Sequence, residues 1–287
     1  MFCFLRELRI RPIVAGILSY VPGLFSWWDS RRPMGNTSSA SYARGIWRFH
    51  LENYKKYIDG RVPPAVAEFG PGATLGACIA ALCDGVEKAI ALDVRPYASD
   101  DSMNLQVLEE LIPDSNRAMD RALLSDAVMH VGSDERKTLL EYVAPWTDLN
   151  VLPEGCVDLI FSHSVMEHVT TPIEAYKACF RWLKPGGIMS HKIDHSSHAI
   201  TNSWNGHYAI PKALWSMIVG GRPYLLNRMT PVQHQDAIES LGFKILLMEF
   251  EMAKDVDNNS TCRSVIKREE CQIKTSTFVC QKPLGTV

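Results

Sequence analysis

Residues 66–76 read VAEFGPGATLG, an apolar run that passes directly into a glycine-rich turn. The apolar residues 65–69 predict a short buried strand, and glycines follow at positions 70, 72 and 76. Glycine lets the backbone approach a ligand closely because it carries no Cβ. We predict a helix over 74–83, capped by Thr74, whose partly positive N-terminus points at the same turn. This order of strand, turn and helix predicts a ligand site at the carboxyl end of a parallel sheet.

The rest of the chain alternates predicted strands with predicted helices. This pattern indicates an α/β domain with a mostly parallel sheet, right-handed crossovers and helices on both faces. Two strands, 243–250 and 275–280, have no helix between them, so we predict an antiparallel last strand. We expect helical insertions over 119–140. The remaining predicted strands are 88–92, 156–161 and 187–193, and the remaining predicted helices are 103–111, 172–183 and 231–241.

The composition is that of an ordinary globular protein, with 46% hydrophobic and 22% charged residues among 287. This length suits one large α/β domain with additional segments. The formal net charge of -2 gives no basic field, so we expect no nucleic-acid partner. The eight cysteines contain no C-x-x-C spacing, which favours reduced thiols in a cytoplasmic protein.

We divide the chain into a helical N-terminal extension or lid, residues 1–60, and a main domain, residues 61–287. Residues 195–229 interrupt the alternation of strands and helices, so we predict a substrate-binding insertion there.

An apolar segment lies near the start of the chain, at residues 13–28. It is shorter than the ~20 residues of a membrane span. It predicts either a helix packed on the domain or a peripheral membrane contact, because Arg6, Arg9 and Arg11 precede it. A homodimer is also left open.

The glycine spacing separates two classes of cofactor. A dinucleotide site is typical of G-x-G-x-x-G, but counting from Gly70 places Leu75 where the third glycine should stand. Glu68 lies near the end of the predicted strand, and its carboxylate would repel a pyrophosphate but suits a cationic ligand. S-adenosylmethionine carries an ammonium and a sulfonium group and no phosphate, so it fits this turn better than NAD.

Six segments in order resemble the motifs of the class I S-adenosylmethionine-dependent methyltransferases. They are EFGPGATLG at 68–76, IALDV at 90–94, APWTDLNVLP at 144–153, CVDLIFSHSVMEHV at 156–169, LKPGGIMSHKID at 183–194 and TFVCQKP at 277–283. The resemblance covers most of the chain. It implies a Rossmann-like methyltransferase fold and S-adenosylmethionine as the cofactor.

The resemblance also implies which residues hold the cofactor. In the family, an acid at the position of Asp93 binds both ribose hydroxyls, and the segment after residue 144 lies beside the adenine. An upstream helix often closes over the cofactor, which makes Tyr42 a candidate. The expected cofactor-binding residues are Glu68, Gly70, Pro71, Gly72, Gly76, Asp93, Val94, Trp146, Thr147, Asp148, Ser162, His163 and Tyr42.

A narrower resemblance concerns the acceptor. The segments 35–54, 68–76, 191–198 and 222–229 are similar to those of a bacterial subfamily linked to saccharide and natural-product pathways. This implies a small-molecule or saccharide acceptor and a role in natural-product biosynthesis. The substrate-binding candidates are His191, His195, Arg222, Tyr224, Asn227 and Arg228.

Methyl transfer to a hydroxyl needs a general base, most often a histidine or a carboxylate. In the subfamily an acid and a terminal histidine recur in the segment that reads HKIDHSSH here, and Asp194 and His198 match them. A second acid often stands just before that histidine, and this chain has Ser197 there. We predict His198 as the base, Asp194 as its orienting partner and His163 as a further catalytic candidate.

Three other functions stay open at this point. An N-methyltransferase acting on a small-molecule amine would need no base. Leu75 and Glu68 count against an NAD-dependent dehydrogenase, and the intact glycine turn counts against a non-catalytic cofactor-binding domain. The histidine cluster could bind a divalent metal, but E-H-V at 167–169 is common in metal-free relatives, so we predict no metal.

Overall fold

The computed structural model describes residues 3–21, 23, 39–112, 121–129, 131, 139–146, 148–222, 224–253 and 270–285. Seven strands form one sheet: β1 (Ala65–Phe69), β2 (Lys88–Leu92), β3 (Leu140–Val143), β4 (Val157–His163), β5 (Leu183–Asp194), β6 (Lys244–Met252) and β7 (Ile273–Gln281). The helices are α1 (Ile10–Leu18), α2 (Ala40–Lys55), α3 (Gly76–Cys83), α4 (Asp101–Leu111), α5 (Arg121–Met129), α6 (Pro172–Trp182), α7 (Lys212–Val219) and α8 (Pro231–Ser240).

The strand order across the sheet is β3-β2-β1-β4-β5-β7-β6. Strands β1 to β5 pair in parallel, whereas β7 is antiparallel to both of its neighbours. Helices cover both faces, so the central strands are apolar along most of their length. The arrangement confirms the predicted Rossmann-like α/β fold with an antiparallel last strand.

Two local predictions fail because their outcome depends on distant residues. The predicted helical insertions over 119–140 include α5, but β3 was not predicted, because it is too short to show a strand period and forms by pairing with β2. Thr74 does not cap α3. Leu75 is the N-cap residue without a side-chain cap, and its N–H donates to Asn104 Oδ1 of α4 at 2.8 Å.

The N-terminal segment folds against the predicted insertion. Glu7 is buried and accepts hydrogen bonds from the main-chain N–H and the hydroxyl of Ser203, both at 2.9 Å. Helix α1 packs on α7, where a side chain at Gly16 would collide with the carbonyl oxygens of Met217 and Ile218. No helix in the described ranges combines the length and the apolar character needed to cross a membrane.

Three histidines lie in the core without exposed surface: His50, His191 and His234. Each uses one ring nitrogen in a hydrogen bond of 2.8 Å with a hydroxyl, in the pairs His50–Ser190, Ser162–His191 and Tyr176–His234. Burial lowers the pKa of all three, that of His191 to about 3. The folded protein therefore holds these rings neutral well below pH 6.5.

We expect His191→Gln to reduce the loss of stability that acid causes. Unfolded His191 takes up a proton near pH 6.5, whereas folded His191 stays neutral down to about pH 3, so its contribution to stability is present above pH 6.5 and is lost as the pH falls. Wild type should lose about 1.4 kcal/mol of unfolding free energy through this group by pH 5.5. Glutamine keeps a polar group beside Ser162 but takes up no proton.

Urea denaturation of both proteins at pH 7.5 and pH 5.5 measures this difference. A comparison at pH 7.5 and 8.5 is the control, because His191 stays neutral in both states there. The same fall in unfolding free energy for wild type and variant at pH 5.5 would contradict the interpretation.

Candidate active site

A cavity of about 1500 Å³ opens at the carboxyl ends of β1, β2 and β4. The strand order reverses between β1 and β4, and this is where ligands bind in open α/β sheets. One side of the wall is formed by the turns after β1 and β2. The other side is formed by the loop after β4, residues of the insertion, and residues 8–12 of the N-terminal segment.

The turn after β1 brings bare backbone to the cavity. Gly70 and Gly72 have φ values of +65° and +80°, in the left-handed region that favours glycine. A side chain at Gly70 would lie 2.6 Å from a methyl group of Val165, on the loop after β4. The Gly70 N–H donates to the Leu92 carbonyl at 2.8 Å, which ties this turn to β2. The turn can therefore take this shape only with glycine at position 70.

Asp93 follows β2 directly and lines the cavity. Its Oδ1 accepts the Val94 N–H at 2.6 Å, and burial raises the pKa of its carboxyl to about 6. Val94 and Trp146 lie on the same side of the wall, and the centroid of the Trp146 ring lies 5.0 Å from that of Phe69, with the two rings tilted by 31°. A carboxylate beside an aromatic ring suits a ligand that carries a ribose and an adenine.

The other expected cofactor residues lie elsewhere. Glu68 is buried behind the wall, where its Oε2 accepts the Cys78 thiol at 3.3 Å and burial raises its pKa to about 8. Gly76 permits close packing of α2, since an added Cβ would lie 2.6 Å from that of Ala43. Thr147 lies outside the described residues. Within the described residues, the wall does not include Pro71, Asp148, Ser162, His163 or Tyr42.

Four ionisable side chains meet where the loop after β4 approaches the end of β5. His198 Nε2 lies 3.6 Å from Asp194 Oδ2 and 3.9 Å from Glu167 Oε1. His168 and His198 both line the cavity, with ring centroids 4.8 Å apart. Burial lowers the pKa of His198, lowers that of His168 to about 4, and raises that of Glu167 well above its usual range. The two neutral imidazoles can accept a proton or bind a cation.

Two of the predicted substrate-binding residues, Arg222 and Tyr224, line the cavity. Arg222 also donates to the main-chain carbonyls of Val219 and Pro12, and Asn227 and Arg228 hold the main chain without lining the cavity. The Asn227 amide donates to two carbonyl oxygens of the loop after β4, and Arg228 donates to the carbonyl of Ile210 at 2.7 Å. Their hydrogen bonds therefore position the insertion and the loop.

Three other predicted residues, His163, His191 and His195, do not reach the cavity. His191 lies in the core, and His195 Nε2 lies 2.8 Å from the hydroxyl oxygen of Ser276. His163 faces α2 from the last position of β4. A side chain on a strand that helices cover on both faces points into one of those helical layers. His198 instead follows β5, which ends at Asp194.

Sequence analysis missed two parts of the wall. Residues 8–12 line the cavity, although the lid prediction pointed to Tyr42. His168 also lines the cavity, although the sequence predicted only that Glu167 and His168 could belong to a metal-binding cluster and gave them no site role. A sequence pattern that could have indicated this part of the wall was a pair of adjacent residues with metal-ligand side chains just past the carboxyl end of a strand.

A family model described as a methyltransferase domain matches residues 133–190. The match includes β4, α6 and the loop between them that lines the cavity. This match supports the resemblance of the chain to the class I S-adenosylmethionine-dependent methyltransferases. The prediction of a methyl-transferring enzyme with S-adenosylmethionine as its cofactor is confirmed.

Several solved structures resemble this methyltransferase at low identity. An S-adenosylmethionine-dependent methyltransferase from Mesorhizobium loti is 14% identical, with 83% of this chain and 99% of that chain covered and a TM-score of 0.46. Phosphoethanolamine N-methyltransferase 2 of Haemonchus contortus, in complex with S-adenosyl-L-methionine, is 15% identical, with 94% and 56% covered and a TM-score of 0.45. Because these TM-scores are below 0.5, nothing about the acceptor follows from them. No curated protein matches the chain.

The cofactor side of the wall fits S-adenosylmethionine. The glycine turn, residues 70–76, carries no lysine or arginine that would hold a phosphate. The residues of this methyltransferase that could hold the cofactor are Gly70, Gly72, Asp93, Val94 and Trp146.

We expect Asp93→Asn to weaken binding of S-adenosylhomocysteine about ten- to hundred-fold, because hydrogen bonds from hydroxyls to a carboxylate are stronger than those to an amide. Calorimetric titration measures the affinity, with NAD as a parallel ligand that should give no binding. Asp101→Asn, which changes an exposed acid at the start of α4, is the matched control. Equal affinity of the Asp93 variant and wild type would remove Asp93 from the cofactor site.

Proposed function

We propose that this enzyme transfers the methyl group of S-adenosylmethionine to a hydroxyl oxygen of a small molecule or saccharide. The observation that carries the proposal is the Asp194–His198 pair, 3.6 Å apart, with His198 at the cavity wall. A hydroxyl acceptor must lose its proton during the transfer, and an imidazole beside a carboxylate is suited to take it. An amine acceptor would not need this pair, so N-methylation is the alternative.

The remaining residues have binding roles in this proposal. When bound, S-adenosylmethionine supplies an electrophilic methyl group on its sulfonium, so the protein contributes chiefly by aligning the acceptor. Arg222 and Tyr224 line the acceptor side of the cavity, where Arg222 donates to the main-chain carbonyls of Val219 and Pro12, both at 3.2 Å, and so shapes the wall. A cytoplasmic location, a homodimer and a role in natural-product biosynthesis stay predictions of the sequence.

Replacing His198 with Asn should lower kcat about 10²- to 10⁴-fold with a hydroxyl acceptor, because the group that takes the proton is lost. Affinity for S-adenosylhomocysteine should not change, because His198 lies on the acceptor side. Asp194→Asn should lower kcat by a smaller factor, since the imidazole remains.

The measurement is transfer of a labelled methyl group to a panel of sugars, natural-product scaffolds and matched amines. Turnover of a hydroxyl acceptor by the His198 variant at the wild-type rate would remove this residue from catalysis. Methylation of amines alone would establish the N-methyltransferase alternative.

We also propose that the N-terminal segment contacts a membrane surface. Ile10, Val14 and Ile17 of α1 are 79%, 44% and 50% exposed. Their spacing of four and three residues places them on one face of the helix, opposite the face that packs on α7. This exposed apolar face suits a helix that lies in the plane of a membrane interface.

The charge around α1 favours an anionic lipid surface. Arg6, Arg9 and Arg11 are exposed, whereas Glu7, the one acid within residues 3–21, is buried against Ser203. The segment that carries the apolar face also lines the cavity through residues 8–12. An acceptor with an apolar portion could therefore reach the cavity from the membrane surface.

The double variant Ile10→Asp, Ile17→Asp should lose binding to phosphatidylglycerol vesicles, because two charges replace the apolar face. Co-sedimentation measures binding, phosphatidylcholine vesicles test the need for anionic lipid, and Leu123→Asp on α5, where Leu123 is 47% exposed, is the matched control. Absence of wild-type binding would overturn the proposal. A wild-type dimer that the double variant dissociates, without vesicle binding, would assign the face to a second copy.

A further inference from the structure

We infer that Glu167, His168 and His198 form a binding site for a divalent transition-metal ion at the cavity wall. One carboxylate oxygen and one nitrogen of each imidazole lie within 4.8 Å of one another. The ligands of a tetrahedral zinc site lie roughly 3.4 Å apart, as follows from metal–ligand distances near 2.1 Å. Small side-chain rotations would therefore bring the three atoms to coordination distance.

The buried carboxylate of Glu167 is the observation that points to a cation. Its side chain is 4% exposed, and neither oxygen meets the geometry of a hydrogen bond with a described residue, although the main-chain N–H groups of Glu167 and Asp194 lie close enough to act on it. Glu167 is the one side chain in the described part of the chain with two such atoms. Oε1 lies 3.9 Å from His198 Nε2, so the carboxylate is directed into the cluster. Buried polar groups nearly always have partners, and a metal ion would serve both oxygens.

The imidazole of His168 is oriented as a metal ligand. Its Nδ1 lies 3.1 Å from the main-chain carbonyl of Tyr224, which can only accept a hydrogen bond. The proton is therefore on Nδ1, and Nε2 has a lone pair available for a metal. A hydrogen bond from the other ring nitrogen to a carbonyl is typical of metal-binding histidines because it fixes both tautomer and ring orientation.

The loop that carries two of the ligands is held in place by the insertion. The main-chain N–H of Asn227 donates to the Glu167 carbonyl at 2.8 Å, and its side chain donates to the carbonyls of Met166 and Val169. His198 approaches from the segment after β5. The ligands thus come from two segments, and hydrogen bonds hold in place the one that carries Glu167 and His168, which favours a preorganised site.

Two imidazoles and one carboxylate suit Zn²⁺, Co²⁺, Fe²⁺ or Mn²⁺, and three protein ligands leave at least one position for another ligand. His168 and His198 both border the cavity, so that position faces the acceptor. This consequence rests on the proposed function, because the acceptor hydroxyl would take the open position and become more acidic there. His198 is the base of the metal-free enzyme; with the ion bound it would serve as a ligand, and Asp194 would take the acceptor's proton.

The test uses Co²⁺ as the probe, because its visible absorption reports on nitrogen and oxygen ligands. Metal-stripped full-length protein is titrated with Co²⁺ without cofactor or acceptor, by absorption and by calorimetry. We expect one ion per chain. Glu167→Gln and His198→Gln should each weaken binding by about a hundredfold or more, with altered spectra, whereas Glu154→Gln, an exposed acid outside the cluster, should bind as wild type does.

Affinity for S-adenosylhomocysteine, measured on each variant, shows whether fold and cofactor site are intact. The proposal is overturned if wild type shows no ligand-field bands, or if both cluster variants bind Co²⁺ as wild type does. If the protein bound Co²⁺ but methylated no hydroxyl acceptor, the proposed acceptor class would be wrong and the metal site would still be supported. If wild type bound no metal while His198→Asn lost turnover, the metal site would be overturned and the proposed function would stand.

Discussion

The amide of Asn227 joins the acceptor-side elements of the active site. It donates to two carbonyls of the loop after β4, at 2.7 and 2.9 Å, and its Oδ1 accepts the N–H of Met229 at 2.8 Å. These loop carbonyls lack the partners that a helix or a sheet would give them, and buried unpaired carbonyls cost free energy. Because one side chain satisfies both, the insertion and the loop that carries His168 take up a single relative position.

The sheet could be predicted from sequence because its strands are covered on both sides. Such strands must be apolar along their length, and a turn with φ values that favour glycine must contain glycine, as at Gly70. The cap of α3 could not be predicted in this way. Its polar partner is Asn104, 29 residues further along the chain, and this contact exists only once α4 has packed. Strand β3 is similar, because pairing with β2 rather than its own pattern makes it a strand.

The two sides of the active site differ in how far sequence determines them. The cofactor side is built from turns directly after β1 and β2, so Gly70 and Asp93 could be identified from local patterns. On the acceptor side the segment HKIDHSSH offers histidines of equal chemical merit. The end of β5 at Asp194 separates only two of them, because His191 precedes it and is covered and His198 follows it and lines the cavity, whereas His195 also follows it but is buried against Ser276.

Polar groups in the interior therefore fall into two classes. His191 and Ser162 pair across adjacent strands, and His234 pairs with a tyrosine of α6, so each of these rings is held by at least one hydrogen bond. Such pairs let a polar residue occupy a core position at a modest cost in free energy. Glu167 is nearly as buried, but neither of its oxygens meets the geometry of a hydrogen bond with a described residue. Burying this acid without full hydrogen bonding costs free energy in the protein alone. A cation bound between Glu167 and the two imidazoles would offset much of that desolvation cost, so the same burial favours binding of the ion.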